Sequence, residues 1–193
     1  LTQDCLRILP IRIEFVLVLL DRDGVINEDS PNYVRDASQW TPLAGSLQAI
    51  ARLSRAGRTI AVCSNQAGVS KGALTVADLE AINRAMTSAV TQAGGRIDGV
   101  FYCTHSPEQR CACRKPAPGL LLQAMTALGA SAAETTFIGD SLRDAEAAIA
   151  AGCAPILVRT GHGSRSEAQA RAIGVDLVFD DLAAATNWLL REC

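Results

Sequence analysis

The sequence predicts an α/β fold: a doubly wound, mostly parallel, Rossmann-like sheet with helices on both faces. Three observations predict it. Short apolar runs alternate with longer amphipathic stretches, glycines stand where those stretches should end, and polar residues follow the apolar runs.

Phe15–Leu20 (FVLVLL) is an unbroken apolar run of strand length, as a strand covered on both faces requires. Leu43–Ala56 has helical periodicity and ends at Gly57, where a left-handed cap belongs. Thr59–Cys63 is the second strand. Val76–Ala93 is a helix closed by Gly94 and Gly95, and Val100–Tyr102 is the third strand. The helix Gly119–Leu128 stops at Gly129, the strand Thr136–Ile138 follows, and the helix Leu142–Ala151 stops at Gly152. Ile156–Val158 is a fifth strand and Leu182–Leu190 a last helix. Strands alternating with helices imply right-handed crossovers and a parallel sheet. Residues 1–12 read as an extension without assigned chemistry, and residues 13–193 as one domain with no room for a separate cap domain.

Composition narrows the function classes. Apolar residues make up 49% of the 193 residues and charged residues 20%, as in an ordinary globular domain. A net charge of −2 and an aromatic content of 4% argue against nucleic-acid binding. The longest uncharged run near the start, Phe15–Leu20, is far short of a bilayer span, and no cleavage-site pattern follows a basic start. Seven cysteines, three of them within residues 103–113, fit reduced thiols around a local metal better than a disulfide framework. The expectation is a cytoplasmic monomer without a membrane or nucleic-acid partner.

In open parallel sheets, ligands bind beyond the carboxyl ends of the strands. Strand one ends in Asp21-Arg22-Asp23, strand two in Ser64-Asn65-Gln66 and strand four in Gly139-Asp140-Ser141, so all three sets should meet in one crevice. Carboxylates two residues apart can divide the labour of phosphoryl transfer, Asp21 as nucleophile and Asp23 as general acid and base. Asp140 completes an oxygen-rich set suited to Mg²⁺. Ser64 can donate a hydrogen bond to the transferred group. Of the two lysines, Lys71 and Lys115, the second, in Cys-Arg-Lys-Pro before a helix, is the better charge partner.

The segments DRDGVIN (21–27), VCSNQAG (62–68), CRKP (113–116) and IGDSLRD (138–144) together resemble the four motifs of the haloacid dehalogenase superfamily of phosphohydrolases, over about residues 14–160. The resemblance implies an aspartyl-phosphate mechanism. It places Mg²⁺ on Asp21, the backbone carbonyl of Asp23 and Asp140, with Asp144 in support and with Ser64 and Lys115 on the phosphoryl oxygens.

Cys103, His105, Cys111 and Cys113 offer three sulfurs and one imidazole, a set that suits tetrahedral Zn²⁺. Zinc there would fix Arg114 and Lys115, which follow the last ligand. Cys5, Cys63, Cys153 and Cys193 read as packing or terminal residues, and His162, in the loop GHGSRS, as a polar loop residue.

Among capless members with a zinc loop, the chain is similar to two groups. One removes the C7 phosphate of a heptose 1,7-bisphosphate in lipopolysaccharide precursor synthesis, and the other acts on histidinol phosphate. DRDGVINEDSPNYV, SNQAGVSKG, YCTHSPEQRCACRKPAPGLL and LVRTGHG lean to the first. That resemblance implies a small phosphorylated sugar lined by Asp29 to Tyr33 and by Ser64, Asn65, Gln66 and Ala67, with Arg114 and Lys115 on its phosphates. Two features depart from the heptose group: Ser141 stands where a lysine is common, and SPEQR is a short loop. A nucleic-acid 3′-phosphatase or a catalytically silent zinc module are the remaining alternatives.

Overall fold

The computed structural model describes residues 15–191. In chain order its main elements are β1 (Leu17–Leu20), α1 (Ser46–Arg55), β2 (Thr59–Asn65), α2 (Val76–Gln92), β3 (Gly99–Cys103), α3 (Gly119–Leu128), β4 (Thr135–Gly139), α4 (Leu142–Ala151), β5 (Ala154–Val158), α5 (Gly163–Ala172), β6 (Val178–Phe179) and α6 (Leu182–Leu189). Among the described residues the strands form one parallel sheet in the order β3-β2-β1-β4-β5-β6.

Alternate side chains of β1 point to opposite faces, and each face has its own core. Val18 and Leu20 pack with Ile50, Ile60, Val62, Met86 and Leu182, beneath α1, α2 and α6. Leu17 and Leu19 pack with Leu121, Ala124, Phe137 and Ala148, beneath α3 and α4. Burial on both faces is why the strands read as continuous apolar runs. The strand order reverses at β1, which lies between β2 and β4, and such a switch point opens a crevice at the carboxyl ends.

The structure departs from the sequence expectations at the C-terminal edge. It adds α5 and β6, for which the sequence carries little signal: the buried residues of α5 are Gly163, Ser166 and Ala170, too small to form an apolar stripe, and β6 has only two residues. The first strand is shorter than Phe15–Leu20. The first helix begins at Ser46 rather than Leu43, because Gly45 adopts φ 78° and Leu43 donates its N–H to the Ile26 carbonyl. The expected glycine caps stand: Gly57, Gly94, Gly129 and Gly152 all have positive φ. The extension 1–12, Cys5 and Cys193 lie outside the described residues. No helix among the described residues is long and apolar enough to cross a membrane.

Candidate active site

A cavity of about 330 Å³ lies over the carboxyl ends of β1, β2 and β4. Asp21 follows β1, Ser64 and Asn65 end β2, and Asp140 follows β4, so the sheet's topology alone brings them together. Lys115 arrives from the segment between β3 and α3 and is 2% exposed. Its ammonium sits 2.9 Å from Asp21 Oδ1 and 2.7 Å from Asp144 Oδ1. Asn65 holds the lysine's backbone at both polar atoms: Lys115 N–H donates to Asn65 Oδ1 (3.1 Å), and Asn65 Nδ2 donates to the Lys115 carbonyl (3.0 Å).

The electrostatics show an excess of negative charge. Burial would lower the Lys115 pKa, but Asp144 and Asp21 reverse that and hold it above the ordinary lysine value. Burial would raise Asp144, but Lys115 and the Ser141 hydrogen bonds keep it below its usual range. Two carboxylates remain for which one ammonium is not enough. Burial and the neighbouring aspartates push Asp21 up to about 8, and burial with Asp144 pushes Asp140 up to about 7.

A hard divalent cation would remove that excess, and the donor set fits one. Carboxylate oxygens of Asp21, Asp140 and Asp144 lie within 4.8 Å of one another. Asp144 is committed at both oxygens, to Lys115 and to Ser141 N and Oγ. Asp21 Oδ1 is taken by Lys115 and Arg22 N–H, and Asp140 Oδ2 by His162 N–H at 2.7 Å. The second oxygens of Asp21 and Asp140 accept no protein hydrogen bond among the described residues. Backbone must come close to Asp140 here: a Cβ on either Gly24 or Gly161 would stand 2.1 Å from its Oδ2, and both have positive φ.

Asp23 is held differently. Its carboxylate accepts from Arg22 Nε and Nη2, from Asn27 Nδ2 at 2.9 Å and from Gln66 Nε2 at 2.8 Å. Its side chain is thus held by nitrogen donors while it lines the same cavity as Asp21. Gln66 Nε2 also donates to Ser64 Oγ at 2.8 Å, which leaves the Ser64 proton for another acceptor. The amides of Asn65 and Gln66 are therefore spent on aligning Lys115, Ser64 and Asp23.

Beside this cavity, Cys103, His105, Cys111 and Cys113 converge. The sulfurs are 3.3–3.6 Å apart, and His105 Nδ1 lies 3.3 Å and 3.5 Å from Cys113 and Cys103. A tetrahedron with Zn–S of about 2.3 Å has edges of roughly 3.8 Å, so the set could close on zinc with small adjustments. Burial opposes it, yet hydrogen bonds from Cys113, the Arg114 backbone and Cys103 draw Cys111 down to about 7.

Against this geometry stand three comparisons. A D-glycero-β-D-manno-heptose-1,7-bisphosphate 7-phosphatase of Pseudomonas aeruginosa is 45% identical over 175 residues, covering 91% of this chain and 98% of its own. The protein of that name from Escherichia coli (strain K12) is 36% identical and covers 86% and 89%. A crystal structure of D,D-heptose 1,7-bisphosphate phosphatase from Bordetella bronchiseptica, complexed with magnesium and phosphate, aligns with TM-score 0.88 at 45% identity, covering 92% of this chain and 99% of that one. The chain belongs to the heptose-bisphosphate phosphatase family of HAD-like hydrolases. The HAD-hydrolase-like family model itself matches residues 112–185.

For a phosphatase of this family, the sequence-selected residues are well gathered. Asp29, Tyr33, Ala67 and Arg114 all line the cavity with the residues already described. Three further lining residues carry no clear sequence signal. His162 reads as a polar loop residue, yet it heads α5, and its Nε2 lies 2.9 Å from Asp29 Oδ2. Lys71, the weaker candidate of the two lysines by sequence, lies 5.9 Å from the Tyr33 ring centroid. Arg143 is on the first turn of α4.

Proposed function

We propose that the chain hydrolyses the C7 phosphate of D-glycero-β-D-manno-heptose 1,7-bisphosphate, using Asp21 as nucleophile. The observation that carries the chemistry is the Asp21 carboxylate, one oxygen pinned by Lys115 and the other open in a cavity ringed by cations and carboxylates. The family supports the substrate.

In the first step Asp21 attacks phosphorus: an O–P bond forms, the ester P–O bond breaks, and Asp23 gives the leaving alkoxide its proton. In the second step Asp23 takes a proton from water, which attacks the phosphoaspartate and releases inorganic phosphate. Ser64 and Lys115 hold the phosphoryl oxygens as charge builds on them. A magnesium ion held by Asp21, the Asp23 carbonyl and Asp140 would neutralise phosphoryl charge. Zinc on Cys103, His105, Cys111 and Cys113 would brace the segment that carries Arg114 and Lys115.

Asp21→Asn keeps the shape of the site and removes the nucleophile, so phosphate release should fall by a factor on the order of 10⁴. The substrate is tested by comparing heptose 1,7-bisphosphate with histidinol phosphate under identical Mg²⁺ conditions. A preference for histidinol phosphate would reject the heptose assignment, while an active Asp21→Asn would reject the chemistry.

A further inference from the structure

A second groove, of about 310 Å³, adjoins the catalytic cavity and shares Pro107, Arg114, Lys115 and Arg143 with it. Arg110 adds another guanidinium, and no carboxylate lines the groove. The cavity next door is rich in aspartates, and the chain as a whole carries a net charge of −2. Three arginines on one groove are therefore a local feature, not a reflection of general basicity, although Glu108 nearby feels the charge of Arg114. None of Arg110, Arg114 and Arg143 is within ion-pair distance of a carboxylate among the described residues.

Two of these arginines stand where a cation or its backbone is disfavoured. Arg143 is the second residue of α4, at the positive end of the helix dipole. Arg110 adopts φ 44°; the other non-glycine residue with positive φ among those described, Tyr33, lines the catalytic cavity. Such backbone strain persists where a site needs a side chain aimed in one direction.

We propose that two further arginines of this groove, Arg143 and Arg110, join Arg114 as specificity residues for the anionic group the substrate retains. The inference rests on the phosphatase reading above and adds two residues to it. A phosphate monoester presents several acceptor oxygens, which guanidinium groups meet with paired N–H donors. Ser141 brings no charge, and its hydroxyl is bound to Asp144 at 2.6 Å; Arg143, two positions on, supplies the charge in this chain. Because the groove meets the cavity at Arg114 and Lys115, a molecule with phosphates at both ends would engage both. The same cluster repels an ammonium-bearing monophosphate such as histidinol phosphate, so it selects as well as binds.

The test is the ratio of kcat/KM for heptose 1,7-bisphosphate to kcat/KM for heptose 7-phosphate, measured in wild type, Arg143→Ala, Arg143→Lys and Arg110→Ala. Each alanine variant should lower that ratio about tenfold or more, chiefly by raising KM for the bisphosphate, as loss of a charged hydrogen bond predicts. Arg143→Lys should keep more of the ratio than Arg143→Ala. Both arginines are exposed, so the variants should fold. A wild-type preference that survives in both alanine variants overturns the groove assignment alone. A wild type without that preference overturns the substrate reading and the groove with it.

Discussion

Lys115 shows how much one side chain can be asked to do. It is buried, lies between two carboxylates and sits 5.0 Å over the Phe137 ring. Removing one member of a buried charged set leaves the others without compensation, which costs about 3–5 kcal/mol. Lys115→Met should therefore lower unfolding free energy by about that amount in urea titrations, as well as abolish phosphate release. Asp144→Asn should be milder, because Lys115 keeps Asp21 and the change removes one carboxylate from a cluster with excess negative charge; an equal loss would show that Asp21 alone does not compensate the buried ammonium. The places of Asp21, Lys115 and Asp140 are legible in the sequence because each is rigidly tied to a strand end or a short motif. His162 is not legible there: its partners, Asp29 and the Asp140 carboxylate, are brought to it by the fold. Arg143 is hidden for a related reason, since an arginine in a helix reads as solvated surface until the groove beside it is seen.

At the scale of elements, legibility follows side-chain size. Runs such as LVLL and TIAVC carry large apolar groups and stand out in the sequence, whereas α5 packs through glycine, serine and alanine. Gly163 can approach because it has no side chain: a Cβ there would lie 1.7 Å from the Val158 carbonyl oxygen. With little apolar area to bury, α5 is tied down by charge instead. Arg159, after β5, reaches Glu167 at 2.8 Å and Asp180 at 2.6 Å, and Arg171 reaches Glu167 at 3.0 Å. Hydrogen bonds from Arg159 and then Arg171 pull the Glu167 pKa from 4.5 to about 2. A carboxylate depressed in the folded state contributes stability that is full above its unfolded pKa and is lost as pH falls through the folded value. Glu167→Gln should thus be less stable than wild type above about pH 4.5, with the two converging as pH drops towards 2. Urea midpoints of both proteins across that range check this, and a constant difference would show that the pair contributes nothing. Because the pair is partly open to solvent, added salt should shrink the gap.

Across the whole molecule, two structures of different kinds meet at the site. One is the sheet, whose cores on either face hold Asp21, Ser64 and Asp140 at strand ends without help from any ion. The other is the segment from Cys103 to Cys113, where only Cys103 is buried and the rest is half-buried or exposed. The sheet is predictable from apolar periodicity. The segment's shape is not, since four ligand-type residues specify a meeting point but no path. This division predicts the outcome of zinc removal. A domain with two packed cores does not need the free energy of a metal site to fold, so a zinc chelator should expose backbone amides of residues 104–113 to hydrogen exchange and leave β1 and β4 protected. Activity should fall with the loop but not vanish, because Asn65 still grips the Lys115 backbone from β2. Zinc, and not magnesium, should restore both readouts. Loss of protection across the whole sheet would show that zinc holds the fold itself; unchanged exchange in residues 104–113 would show that the cysteine cluster does not bind it.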